Sequence, residues 1–455
     1  MWVLHGTLKG RTFAPQFLTH TLMVKMRTLF VAGAMVASVM NVHAQVNAGD
    51  SVMSHAKGKK FSIGGYGEVA FSRNYYSDNP SRYDLPDEHR HDPSHGKFDI
   101  PHAVIYMGYD FGKGWTMGTE IEFEHGGTGV SYEKEYEEGG EWEQETEKGG
   151  EVELEQFWIQ KSFGKWANIR AGHIVVPVGL TNAHHEPLNF FTVYRPEGEN
   201  TILPCTWHQT GVSFWGRYKD FRYEAQLLAG LSSDHFTNTG WIHKGAKSPL
   251  EYDIANKYGA ALRVDNYSVK GLRIGVSGYY GHSMGNSYPN ESNGVAAKYD
   301  GVVAIGAIDF TYNDHNWIVR GQADYGYLGD AEQLKYVYNR TDKRSPYHHS
   351  AYVSKNAYAY SIEAGYDVFS QIEKLRADEQ KMYVFGRFEQ YNPYASKTNG
   401  VAYDYTEVKR MAFGVNYHPL PQIAIKADYS HRFLKSQYNN EPSINIGIAY
   451  EGFFL

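Results

Sequence analysis

The residues best suited to chemistry crowd into one segment between two strand-like runs. Between Ile169 and Gly216 stand His184, His185, Glu186, Arg195, Cys205 and His208. His-His-Glu at adjacent positions is a weak metal pattern, because neighbouring side chains seldom meet at one ion without a ligand from elsewhere. No metal site is therefore expected there. A guanidinium is a different matter: its fork suits phosphate or carboxylate, so Arg195 is the expected anion contact. His184, His185, Glu186, Arg195 and His208 are expected to tune what passes a constriction.

A structureless connection as long as residues 177–209 is out of place in a compact soluble domain. It has a place inside a large barrel. From Phe61 onward the chain repeats one unit, about ten residues of alternating polarity followed by turn residues. The clearest case is Trp115 to Glu124, where Trp115, Met117, Thr119, Ile121 and Phe123 share one face and Glu120, Glu122 and Glu124 the other. The pattern predicts sixteen strands, at 61–72, 99–111, 115–124, 152–163, 166–176, 210–218, 221–231, 257–266, 271–282, 300–312, 316–328, 356–368, 380–391, 405–417, 422–432 and 443–454. Short turns alternate with long loops, at 73–98, 125–151, 177–209, 232–256, 283–299, 329–355, 392–404 and 433–442. An even strand number with that alternation is the signature of an all-β, 16-stranded antiparallel transmembrane β-barrel with long extracellular loops. Sixteen strands enclose an aqueous lumen, into which the third loop is expected to fold.

Composition agrees with this reading. The 455 residues are 42% hydrophobic, with mean hydropathy −0.53, yet include 37 Tyr, 23 Phe, 9 Trp and 47 Gly. Alternate residues facing lipid hide hydrophobicity from averages. The N-terminus reads as targeting: Lys25 and Arg27 precede the apolar run Leu29–Met40, and Val42-His43-Ala44 offers a signal-peptidase site. Residues 1–44 are thus an expected cleaved signal peptide, with Met23 or Met26 as a plausible start. Residues 45–60 are a short periplasmic segment, and 61–455 the barrel. The formal charge is −7; losing Lys9, Arg11, Lys25 and Arg27, four cations and no acid, makes it −11. That disfavours nucleic acid as a partner. One cysteine, Cys205, excludes an internal disulfide.

Setting apolar residues outward places Arg170, Arg217, Arg222, Arg263, Arg273 and Arg320 on a basic lumen wall and Glu120 and Glu122 on an acidic one. Charges at i and i+2, as in Arg222/Glu224, Arg263/Asp265, Arg387/Glu389 and Lys426/Asp428, are expected to pair and stiffen the wall. Parity fails over residues 152–160, where the hydrophobic face switches between Leu154 and Phe157. The last strand carries Tyr450 and Phe454, an aromatic ending of the kind that barrel-insertion machinery reads. The second loop is acidic, Glu133 to Glu147, and the first places His89, His91 and His95 beside Asp87, Glu88 and Asp92. Both are expected to be solvated surface, with divalent-ion capture or lipopolysaccharide bridging as the alternative.

Arg170-Ala-Gly-His173, Pro177-Val-Gly179 and Gly211-Val-Ser-Phe-Trp-Gly216 resemble the strand–loop–strand of the phosphate-selective porin O/P family, in the branch found in Bacteroides-like bacteria. The resemblance implies a water-filled channel in the outer membrane of a Gram-negative bacterium, usually a homotrimer, with the third loop folded inward. The family's best-known members line the pore with Arg and Lys to pass phosphate. Here the third loop is richer in His and Glu, so passive diffusion of small hydrophilic solutes or ions is the first expectation and a phosphate-type anion channel the second. A non-conducting scaffold or adhesin is a third. No cofactor is expected, and neither a G-x-S-x-G elbow nor an H-E-x-x-H motif is read that would suggest an enzyme. Expected partners are outer-membrane lipid and lipopolysaccharide, the insertion machinery and small solutes or anions.

Overall fold

The computed structural model describes residues 60–135, 143–246, 253–286, 298–337 and 350–454. The expected signal peptide and nearly all of the expected periplasmic segment lie outside them.

Sixteen strands form the wall: β1 (Phe61–Asn74), β2 (His102–Gly112), β3 (Trp115–Glu135), β4 (Glu143–Gly164), β5 (Ala167–Val175), β6 (His208–Tyr218), β7 (Phe221–Ala229), β8 (Tyr258–Val269), β9 (Leu272–His282), β10 (Val302–Asp314), β11 (Trp317–Leu328), β12 (Asn356–Asp367), β13 (Lys381–Asn392), β14 (Val408–Leu420), β15 (Ile423–Phe433) and β16 (Glu441–Phe453). Each pairs antiparallel with its sequence neighbours, and β16 closes on β1 from Gly64–Phe453 to Asn74–Ser443. Closure leaves no open edge, so the wall strands satisfy their backbone groups against one another, as crossing lipid requires. The short ladders His95–Asp99, against the end of β1, and Lys335–Val337 with Ser350–Tyr352 are additions outside the sixteen.

The outward face is apolar. Val212, Leu262, Val264, Val276, Ile308, Ile362, Phe413 and Ile446 are exposed at mid-strand. Aromatic residues gather at the strand ends: Phe111, Trp115, Phe163, Trp166, Tyr218 and Phe221 by the short turns, Tyr258, Tyr280, Tyr325 and Tyr327 by the long loops. Two aromatic girdles about an aliphatic belt are what a membrane barrel needs, because amphipathic rings settle at the headgroup level. Tyr450 and Phe454 stack on each other, ring centroids 5.6 Å apart. The tight turns are built for the strand twist. His315 and Asn316, between β10 and β11, both have positive φ (53° and 64°), as a two-residue hairpin of the favoured hand requires.

Two expectations need correction. Residues 125–151 are not simply a loop, because β3 and β4 run on as a paired ribbon from Gly129–Gly149 to Glu135–Glu143. His208 is not a loop residue but the first residue of β6, paired with Val175. The parity switch in β4 is a β-bulge. Glu120 faces Gln156 while Ile121 faces Leu154, so Glu155 is the extra residue. Glu155 and Gln156 consequently both turn inward, buried, while Leu154 and Phe157 both face out.

Candidate functional site: the occupied lumen

Residues 176–207 cross the barrel interior and are held by wall residues from several sides. Near its start, the Gly179 N–H donates to Ser277 Oγ (3.1 Å) and Arg263 donates to the Gly179 carbonyl (2.8 Å). Further along, Lys426 on β15 donates to the carbonyls of Phe190 (2.9 Å) and Thr192 (3.1 Å). The Val193 N–H donates to Asp428 (2.7 Å), and the N–H groups of Glu197 and Gly198 both donate to Glu389 on β13 (3.0 Å each). These last two open a short helix, α1 (Glu197–Ile202). The loop also stitches itself together, with Glu199 accepting from the N–H groups of Leu180, Thr181 and Asn182 (3.0, 3.1 and 2.9 Å). Burial by itself would raise the Glu197 carboxyl, but Arg410 and Arg432 outweigh it and hold the acid down at about 2.

The residues singled out in this loop separate into different surroundings. His184 and His185 are buried on the short turn Asn182–His184 and its cap. Neither ring nitrogen of His184 has a hydrogen-bond partner among the described residues. Glu186 accepts from Asn189 (2.8 Å). Arg195 is 8% exposed and donates to Tyr66 Oη (3.2 Å), the His185 carbonyl (3.3 Å) and Thr206 Oγ1 (3.3 Å). Its Nη2 lies 4.0 Å from Glu122. His208 stands against His173, ring centroids 4.7 Å apart, with Glu153 3.5 Å away.

All six arginines of the expected basic wall are buried or half-buried on the wall, and they are extensively paired. Arg263 and Arg273 share Asp265 and Asp309 at 2.6–3.0 Å. Arg222 meets Glu224 at 2.7 Å, and Arg320 and Arg387 share Glu363 at 2.6 and 3.0 Å. Arg170 lies over Trp158 (4.5 Å) and Arg217 over Tyr267 (5.7 Å). The i, i+2 expectation holds for Arg222/Glu224, Arg263/Asp265 and, at 3.5 Å, Arg387/Glu389. Lys426 and Asp428 instead both grip the third loop.

The sequence reading missed a second inward loop. Residues 230–246, after β7, bring Leu231, Phe236, Trp241 and Ile242 to near-complete burial against Ile202, Leu203 and Trp207 of the third loop. The wall makes room with small inward residues: Ala261, Ala307, Ala357 and Ala359 belong to the same apolar cluster, and a Cβ at Gly326 would lie 2.1 Å from the Trp241 ring. That run of small inward residues was the available signal. Also missed was the string Gly281-His282-Ser283-Met284-Gly285, which matches G-x-S-x-G in letters. A nucleophile elbow needs a strand-to-helix turn. Here β9 runs into a loop, and Ser283 Oγ is buried and donates to the Gly301 carbonyl (2.7 Å).

Beside the loop lies a small pocket lined by His184, Asn189, Arg320, Gln322, Glu363 and Arg387 among others. Two guanidiniums face one carboxylate there.

No family profile matches the chain. A protein of Aquifex aeolicus (strain VF5), named only "Uncharacterized protein", is 26% identical over 388 residues, spanning 84% of this chain and 78% of its own. Salmonella typhi OmpF, solved in complex with daunomycin, superposes with a TM-score of 0.52 at 11% identity, covering 86% of this chain and 97% of that one. The chain folds as a bacterial porin-like barrel. A closed barrel of this kind with a lipid-facing apolar belt is an outer-membrane structure. Weaker likenesses are the outer membrane channel DcaP of Acinetobacter baumannii (TM-score 0.48, 10% identity, 86% and 97% covered) and the trimer form of Vibrio cholerae OmpT (0.46, 11%, 87% and 100%).

Proposed function

We propose that the chain is an outer-membrane porin through which small hydrophilic solutes or ions diffuse passively, with the third loop setting the cutoff. The observation that carries this is the third loop hydrogen-bonded across the lumen to charged side chains of β8, β13 and β15 inside a closed 16-stranded wall. A loop so held narrows a lumen that sixteen strands would leave wide. In this reading His184, His185 and Glu186 belong to the constricting segment and Arg195 serves by holding it in place. The Tyr450–Phe454 ending would act in insertion, and the homotrimer implied by the porin O/P resemblance is part of the same proposal.

The test is single-channel recording of the chain from Gln45 in a planar bilayer with asymmetric potassium chloride. Discrete steps support the channel. A correctly folded barrel that gives no steps overturns it in favour of a scaffold. The second reading, a phosphate-type anion channel, is favoured by the pocket that Arg320 and Arg387 line together with Glu363. A strong anion bias, with current reduced by added phosphate, would select it over a general pore.

A further inference from the structure

The β4 bulge has a chemical counterpart. It turns Glu155 into the interior opposite Glu120, and the third loop brings His185 down onto the same spot. One ligand atom from each of Glu120, Glu155 and His185 lies within 4.8 Å of the other two, and all three side chains are at most 1% exposed. Among the described residues Glu120 Oε1, both carboxylate oxygens of Glu155 and His185 Nε2 have no hydrogen-bond partner outside this group, in which the Glu120 and Glu155 carboxyls approach each other. Unpaired buried carboxylates are costly, and such groups call for a ligand.

The histidine is arranged as metal ligands are. Its Nδ1 faces the Asn182 carbonyl at 3.3 Å, which can only accept, so Nδ1 carries the hydrogen and Nε2 presents a lone pair. Nε2 stands 3.7 Å from Glu120 Oε1. Two ligands at about 2.1 Å from one ion at a tetrahedral angle stand about 3.4 Å apart. Gln156, the other residue of the bulge, donates from Nε2 to the second oxygen of Glu120 and so orients it.

We propose that Glu120, Glu155 and His185 form a divalent transition-metal site, with zinc as the favoured ion, that ties the third loop to strands β3 and β4. Imidazole with carboxylate oxygens suits zinc. The site differs from the His184-His185-Glu186 run, because two of its three ligands come from the wall. It does not depend on whether the barrel conducts.

The experiment is zinc titration of the folded chain from Gln45 in detergent, followed by gel filtration and elemental analysis. One zinc retained per chain is expected, with a higher midpoint of thermal unfolding. Glu155→Gln keeps the side-chain volume and should weaken zinc binding by at least about 100-fold. His102→Ala should not, since His102 belongs to a neighbouring group with Glu122 and Glu124. No retained zinc in the native chain would overturn the site and mean that the two carboxylates share a proton. Zinc unaffected by Glu155→Gln, or lost in His102→Ala instead, would overturn it equally. Should Glu155→Gln not fold, X-ray absorption on the zinc-loaded native chain and on its His102→Ala variant decides: one imidazole with oxygen neighbours in both supports the site, and loss of the imidazole in His102→Ala, or two or more imidazoles in the native chain, overturns it.

Discussion

Asp428 and Val193 are 235 positions apart in the chain, yet the carboxylate of Asp428 on β15 accepts the Val193 N–H at 2.7 Å. The same carboxylate takes a second hydrogen bond from Asn445 at 2.8 Å. One wall side chain thus holds the tip of the third loop in register with the last two strands. A buried hydrogen bond to a charged group contributes about 1.5–3 kcal/mol. Asp428→Ala should therefore free this part of the loop without opening the barrel. Single-channel records are expected to show larger, noisier steps than the native chain, and steps of native size and quietness would mean that the loop is held without Asp428.

Trp241 and Gly326 make a second such pair, a ring resting where the wall has no side chain. Trp241 is fully buried, and its Nε1–H donates to the Ser354 carbonyl at 3.0 Å. Trp241→Ala removes a large buried ring and should cost about 3–5 kcal/mol of stability. Urea unfolding followed by tryptophan fluorescence measures it. A loss below about 1 kcal/mol would mean that the second inward loop is not part of the stable interior.

Arg320 and Arg387 share the Glu363 carboxylate beside the open pocket. If that pocket lies on the solute path, charge there sets ion preference. Arg320→Gln should shift the reversal potential toward cations, and Glu363→Gln should shift it toward anions. Shifts of the same sign, or none in either variant, would remove this pocket from the path.

The outward belt predicts a depth dependence. A lysine facing lipid near the midplane costs about 2–4 kcal/mol, falling to about 0–1 near the interfaces. Ile446→Lys in the middle of β16 should accordingly destabilise the barrel in vesicles far more than Phe98→Lys on the His95–Asp99 ladder by the long-loop end. Equal effects in urea titrations would contradict the assignment of the lipid face.

Much of this architecture is written in short-range pattern. Alternation over about ten residues places Trp115 outward and Glu120 inward without any knowledge of partners, because a strand's side-chain period is two. Turn residues and the difference between short and long connections then set the strand number. Even the place where parity failed, between Leu154 and Phe157, marked a real feature: one extra residue, Glu155, inserted in the ladder.

The sequence by itself determined the sixteen wall strands, their hand-over at the turns and, outside the switch at residues 152–160, the face that wall side chains take. Only the tertiary structure decided what fills the barrel. Arg263 finds Asp309 and Arg320 finds Glu363 across strands, Lys426 finds the carbonyls of Phe190 and Thr192, and His185 comes down on Glu120. The physical reason is range. Alternation is a property of each residue and its immediate neighbours, whereas the seat of a thirty-residue loop depends on hydrogen-bond donors, acceptors and gaps supplied by strands far away in the chain, and no local pattern carries that information.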